Sequence, residues 1–334
     1  MKERPLLIGN WVEVVSTCNL SPGRKMDALS RWLLITRACV FPMTLFSALM
    51  GALLAAAAGP VAWGALALCG IGLLVAHASN NMINDYFDTA SGLDSAEYPR
   101  AQYAPHPLLD GLVTRRGLRN AILGANAIDL AILIALASWR GPAVIAFAMA
   151  GLFISVFYVA PPVRLKHRGL GEIGVLLVWG PLMIAGTYFV AAGTLPTRAW
   201  LGSIPYALLV MTVLIGKHVD KHDVDAARGI RTLPVILGTR ASIRLNRALM
   251  VGFYVAVFAL VAAKVLGPWS LLVFLSIPRL VRVLRIYRRP RPEAPPPNYP
   301  LWPLWYVAAA MYLNRLTGAL LVLGMALDWI LPSV

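Results

Sequence analysis

Two clusters of carboxylate and amide side chains stand where long apolar runs end in this 334-residue chain: Asn80-Asn81-Met82-Ile83-Asn84-Asp85-Tyr86-Phe87-Asp88 and Asp220-Lys221-His222-Asp223-Val224-Asp225. Ionised groups at the edge of a hydrocarbon layer are costly and mark pathways, pairs or ligand sites. On a helix Asn84 and Asp88 share one face, Asn80 lies a further turn back, and Asp85 sits about a quarter-turn round. Gly92 permits a break after them, and Asp94 adds another acid. Such oxygen donors suit a hard cation like Mg²⁺, which keeps some waters and takes further ligands from phosphate. Two clusters far apart in the chain therefore predict one shared cation site, holding a phosphate-bearing ligand between two halves of a helical bundle.

The second cluster leaves more open. Asp220 and Asp223 can share a helix face, whereas Asp220 and Asp225 point about 140° apart unless the helix unwinds locally. Lys217, Lys221 and Asp225 form a stripe at four-residue spacing. Lys221 either neutralises a diphosphate directly, partly replacing a second metal, or pairs with Asp225 across one turn, an interaction worth about 0.2–0.5 kcal/mol. His218 and His222 also lie four apart but lack a third ligand, and they read as interfacial polar residues.

The elements that carry these clusters are membrane spans. With 59% hydrophobic and 13% charged residues, the chain departs from soluble domains, in which about a quarter of residues are charged. Apolar runs near 33–57, 61–83, 120–138, 142–160, 174–192, 200–216, 248–265, 269–286 and 303–326 predict an all-α bundle of nine transmembrane helices. Residues 1–31 read as a polar cytoplasmic tail or interfacial helix without a signal peptide, and 32–334 as one polytopic domain. The Pro-rich stretch 289–298 reads as an extended loop. Cys18, Cys39 and Cys69 show no metal or disulfide spacing.

The net charge of +15 is distributed by topology: 25 Lys and Arg fall on the side of the tail and the acidic clusters, against Arg140, Arg198 and Lys264 on the other. This positive-inside bias places the N-terminus, both clusters and the active-site cavity at the cytoplasmic face, and the C-terminus outside. The basic residues then face anionic lipid headgroups rather than nucleic acid. The cell membrane of a bacterium is the expected location.

A third basic segment, Tyr158-Val-Ala-Pro-Pro-Val-Arg164-Leu-Lys166-His-Arg168-Gly169, joins the fourth and fifth runs. Its cations suit a diphosphate, Arg in bidentate fashion and Lys as a point charge. Arg37 sits near the cytoplasmic end of the first run, where snorkelling to headgroups would also hold it. Asp129 and Asn126 in the third run read as cavity or helix-contact polar groups outside the site.

Asn84-Asp-Tyr-Phe-Asp88 followed by Gly92-Leu-Asp94 resembles the first Asp-rich motif of the UbiA superfamily of intramembrane prenyltransferases. Gly229-Ile-Arg-Thr-Leu-Pro-Val-Ile-Leu-Gly238 resembles the segment after that family's second motif. Asp225 fits the second acid of that motif, while Lys221 stands where the first is expected and His106 where an Arg is common. The 158–172 loop with Trp179-Gly-Pro-Leu-Met-Ile-Ala-Gly-Thr-Tyr188 is similar to the 1,4-dihydroxy-2-naphthoate branch, which belongs to the menaquinone pathway. The likeness runs from Arg37 to Gly238.

The resemblance implies a Mg²⁺-dependent enzyme that transfers a polyprenyl group from polyprenyl diphosphate to a small aromatic, quinone-precursor-like acceptor through an allylic carbocation. It implies metal ligands among Asn84, Asp88, Asp220, Asp223 and Asp225, and diphosphate ligands Arg164, Lys166, Arg168 and Lys221. Tyr158 would face the carbocation, and Asp85 or Asp94 would take or orient the acceptor proton. Two alternatives use similar groups: prenyl or phosphoribosyl transfer involving a lipid phosphate, and a transporter for cations or anionic lipids.

Overall fold

A computed structural model of the chain describes residues 7–21, 23–297, 299 and 301–331. Lys2 and Arg4 of the predicted tail, and Asn298 of the Pro-rich stretch, lie outside the described residues. The architecture is all-helical: α1 Leu7–Thr17, α2 Ala28–Ile35, α3 Phe41–Ala56, α4 Trp63–Ala90 and the short α5 Pro99–Tyr103. Then follow α6 Arg115–Arg140, α7 Ala143–Phe157, α8 Gly171–Leu177, α9 Gly186–Ala192, α10 Thr197–Asp220 and α11 His222–Ala227. The chain closes with α12 Leu233–Leu237, α13 Thr239–Ala262, α14 Ile277–Ile286 and α15 Tyr306–Ile330.

Seven helical segments are long and apolar enough to cross a membrane, with α8 and α9 counted as one. Of the nine predicted runs, 142–160 forms the shorter α7, and 269–286 forms a 3₁₀ segment Pro268–Ser276 followed by α14. Pro268 and Pro278 explain the second departure, since each removes an N–H and restricts the residue before it. On α14, Leu280 and Val283 are buried while Arg282 and Arg285 stay exposed.

Pro181 likewise interrupts the fifth run. Between α8 and α9 the chain passes through a π-helical segment, Val178–Ala185, which absorbs the missing hydrogen bond and keeps Gly171–Ala192 one continuous span. The absence of a side chain at Gly51 lets α3 approach this segment closely, because a Cβ there would strike the Ile184 carbonyl and Thr187.

The core lies among α3, the π-helical segment, α10, α13 and α15, where Met50, Ile184, Leu209, Ile215, Phe253 and Leu313 are buried. In contrast, α6 exposes Leu123, Leu130, Ile134 and Trp139, the pattern of a helix that meets lipid. The tail region contains α1 and α2, and Asp27 caps α2 by accepting from the Leu29 and Ser30 N–H groups. Cys18 and Cys39, which showed no pairing signal in the sequence, lie side by side with Cα atoms 5.2 Å apart, and Cys69 is buried.

Helix length positions the first cluster. The 28 residues of α4 extend about 42 Å, beyond a hydrocarbon thickness of about 30 Å, so its last two turns project past the apolar layer. Those turns carry Asn84, Asp85 and Asp88. Gly92 adopts φ +73°, and the Leu93 N–H returns to the Asp88 carbonyl, which ends the helix and folds Asp94 back beside it.

Candidate active site

Asp85 is fully buried and neutralised from several directions. Arg37 reaches its Oδ1, and Arg100 forms a fork to both oxygens, with Nε and Nη2 each 3.2 Å away. His106 Nε2 lies 3.7 Å from Asp85 and 3.1 Å from Asp94 Oδ2. Asp85, Asp94 and His106 thus converge, but the two guanidinium groups already supply the positive charge that a metal would bring. The expected proton-handling role of Asp85 gives way to that of an ion-pair hub, which fixes Arg37 and Arg100. Burial opposes charge on Asp94, yet the His106 hydrogen bond holds its carboxyl below the usual range.

Asp88 lies one turn along α4 from Asp85, about 60° round the axis, and meets a different cation. Lys166 Nζ, from the 164–168 loop, donates to its Oδ2 at 2.8 Å. Burial opposes charge on Lys166, but Asp88, followed by Asp225 and Asp94, holds its proton more tightly than in an ordinary lysine. Asn84 Oδ1 is buried without a hydrogen-bond partner among the described residues.

Tyr98, which follows the first cluster, ties it to the second. Its hydroxyl donates to Asp225 Oδ1 at 2.6 Å and accepts from Lys221 Nζ. The Lys221 ammonium also lies 4.3 Å from the centre of the Tyr98 ring, and Arg228 lies over that ring at 4.7 Å. Arg228 reaches the Leu93 carbonyl and Ser95, completing the stitch between the loops. Lys221 is 3.9 Å from Asp225. Burial lowers the Lys221 pKa from 10.5 to about 8. Burial would raise the Asp225 carboxyl, but Lys221, His218 and Tyr98 hold it below the ordinary range. Asp225 Oδ2 remains buried without a partner among the described residues.

Other predicted ligands go elsewhere. The chain does break at Lys221, between α10 and α11, yet Asp220 does not turn toward Asp225. Its carboxylate accepts from the N–H groups of Trp305, Tyr306 and Val307, each at 2.9 Å, and so caps α15. This correction removes Asp220 from the metal set. The Asp223 side chain is 98% exposed beside His222, and it leaves the set as well. Arg164 is exposed in a left-handed conformation, and Arg168 is exposed with Nη2 on the Pro162 carbonyl. Neither joins Lys166. His218 and Glu172, at 2.6 Å, form a buried pair that fastens α10 to the start of α8.

Sequence reasoning missed Arg100 and Tyr98. Both lie between α4 and α6, where no periodicity or quoted motif marked them; the signal available was an Arg and a Tyr a few residues beyond an acidic motif.

A cavity of about 830 Å³ opens beside these groups, lined by Arg37, Asn84, Arg100, Tyr158, Trp179 and Lys217 at its polar end. Leu133, Phe147, Leu152 and Val190 line its apolar reach toward α6 and α7. Asn84 Oδ1 and Asp225 Oδ2, both buried and without partners among the described residues, are oxygen donors of the kind a hard divalent cation takes. The arrangement can hold an anionic head among cations and shelter a long apolar tail beside it.

Comparison with known proteins follows the same lines. The family model described as "UbiA prenyltransferase family" matches residues 44–314. Over 212 residues the chain is 25% identical to the 1,4-dihydroxy-2-naphthoate octaprenyltransferase of Bacillus subtilis, a match covering 61% of this chain and 65% of that one. The chain spans between 52% and 65% of the length of the first curated relatives it matches. The apo structure of a UbiA homolog from Aeropyrum pernix K1 superposes with a TM-score of 0.66 at 19% identity, covering 86% of this chain and 97% of that chain. A UbiA homolog from Archaeoglobus fulgidus bound to GPP and Mg²⁺ gives a TM-score of 0.57 at 14% identity, covering 89% and 99%.

Proposed function

The chain belongs to the UbiA prenyltransferase family, and we propose that it transfers a polyprenyl group from polyprenyl diphosphate to a small aromatic acceptor, with Mg²⁺. The observation that carries this reading is the pair of acidic clusters stitched together by Tyr98 on Asp225 and Arg228 on the Leu93 carbonyl, with Lys166 on Asp88, beside a cavity that has polar and apolar lining. A prenyl diphosphate has that polarity, and a naphthoate is the acceptor that the Bacillus subtilis relative's name prints.

Asn84, Asp88 and Asp225 would hold the cation, which would offset negative charge on the diphosphate. Lys166 and Lys221 donate to diphosphate oxygens, and Tyr98 keeps Lys221 aimed. The allylic C–O bond breaks as its electron pair leaves with diphosphate. Tyr158 and Trp179, on the cavity wall, turn aromatic faces to the allylic cation. The acceptor carbon then forms the new C–C bond and loses its proton. Asp85 is engaged by two guanidinium groups and Asp94 by His106, so the proton passes to the released diphosphate.

In this reading α7 and the 268–286 segment complete nine crossings, and both clusters face the cytoplasm of a bacterial cell. Helix α1 acts as an interfacial element, since it exposes Ile8, Val12 and Val15 on one side. Purified protein with Mg²⁺, radiolabelled polyprenyl diphosphates and a panel of aromatic acceptors tests the proposal. Prenylated product and diphosphate release are expected, both abolished in Asp88→Ala. Release absent under every condition, or undiminished in the variant, would overturn it.

A further inference from the structure

Lys217 is the cation of this site that has no hydrogen-bond or ion-pair partner among the described residues. Arg37 and Arg100 share Asp85, Lys166 holds Asp88, and Lys221 is paired through Tyr98 to Asp225. Lys217 shares the cavity wall with Arg37 and Arg100, whose charge is already turned to Asp85. An unpartnered lysine in a largely apolar cavity is costly to charge, and an anion meeting it there is what would hold it as an ammonium.

Its place on α10 separates it from the diphosphate cations. Lys217 lies one turn, about 5.4 Å, deeper than Lys221, and unlike Lys221 and Lys166 it lines the cavity, beside Val213 and Leu214. The same cavity presents Trp179, whose indole Nε1 is buried without an acceptor among the described residues, and His77, whose ring lies 5.2 Å from that indole. Flat aromatic walls with an unpaired ammonium and an unused N–H suit a planar aromatic ring carrying an anionic group.

We propose that Lys217 anchors the carboxylate of an aromatic carboxylic acid acceptor and thereby sets acceptor specificity, an inference that rests on the prenyl-transfer reading. Calorimetry on the full chain in detergent, with 1-hydroxy-2-naphthoate and 1-naphthol as probes, tests the anchor without turnover. The wild type is expected to bind the naphthoate roughly tenfold to a hundredfold tighter than the naphthol, the range for a charge-assisted hydrogen bond. Lys217→Met should erase that preference, and Lys217→Arg should retain most of it. Steady-state rates should show a raised KM for carboxylated acceptor in Lys217→Met, with the KM for prenyl diphosphate unchanged. No preference in the wild type, a preference kept in the Met variant, or a shift confined to the prenyl diphosphate KM would overturn the assignment. Preference lost in the Met variant without prenyl transfer by the wild type would sink the transfer reading and leave the anchor standing.

Discussion

Lys166 Nζ stands 2.8 Å from Asp88 Oδ2, and this contact joins the loop before α8 to the acidic end of α4. The ammonium holds a position between acids that would otherwise repel one another. A diphosphate entering with its cation would let Asp88 exchange Lys166 for metal, while Lys166 turns to phosphate oxygen. Lys166→Met is therefore expected to raise the KM for prenyl diphosphate by about ten- to a hundredfold, from loss of one charged hydrogen bond. Initial-rate kinetics at saturating acceptor would measure it, and an unchanged KM would show that Lys166 serves only the loop.

Lys221 titrates in an accessible range. With its pKa lowered to about 8 by burial, it is charged below that pH and loses its proton above it. Apparent affinity for prenyl diphosphate should hold steady below pH 8 and fall roughly tenfold by pH 9. Lys221→Arg should flatten that fall. Stability moves the opposite way: between about 8 and the ordinary value of 10.5 the unfolded chain binds the extra proton, so rising pH favours the fold. Competition binding with a non-hydrolysable prenyl diphosphate analogue across pH 7–9.5 would reveal either profile.

Two aspartates of the second cluster should separate in their phenotypes. Asp220→Ala removes the cap of α15 and is expected to cost about 1–2 kcal/mol, read as a lower Tm in detergent, without altering the Mg²⁺ half-saturation of any remaining activity. Asp225→Asn should weaken Mg²⁺ dependence at least tenfold. Asp223→Asn, on an exposed side chain, should change neither. Equal effects of Asp220 and Asp225 on Mg²⁺ titration would contradict the separation.

Tyr98→Phe keeps the ring beneath Lys221 and Arg228 but deletes the hydroxyl between Lys221 and Asp225. The expected loss is about tenfold in kcat/KM. In a double-mutant cycle with Lys221→Met the two losses should be strongly non-additive, because each change breaks the same bridge. Additive losses would mean that the hydroxyl acts independently of the lysine.

Much of this organisation is legible along the chain. Apolar runs mark the helices, because a span must satisfy its own backbone and hide its polar groups. The four-residue spacing of Asn84 and Asp88 places both near the end of α4 by local geometry alone. What escapes is set by tertiary partners. Asp220 looks like a ligand until the start of α15, 85 residues later, brings its unpaired N–H groups to the carboxylate. Arg164 and Arg168 share a basic loop with Lys166, but the left-handed backbone at Arg164 and the 3₁₀ turn after it decide which cation points inward. Arg100 sits on a five-residue helix, too short for any period to announce.

The π-helical passage at Val178–Ala185 has a mechanical corollary. It acts as a phase shifter between the half of the span that bears Glu172 and the half that bears Thr187 and Val190. Removing a single residue there, so that an ordinary α-helix resumed, would rotate one half against the other by about 100°. Glu172 would swing off His218, or the cavity wall would swing off its tail, and no repacking of single side chains could restore both settings. In this segment the number of residues is as constrained as their chemistry.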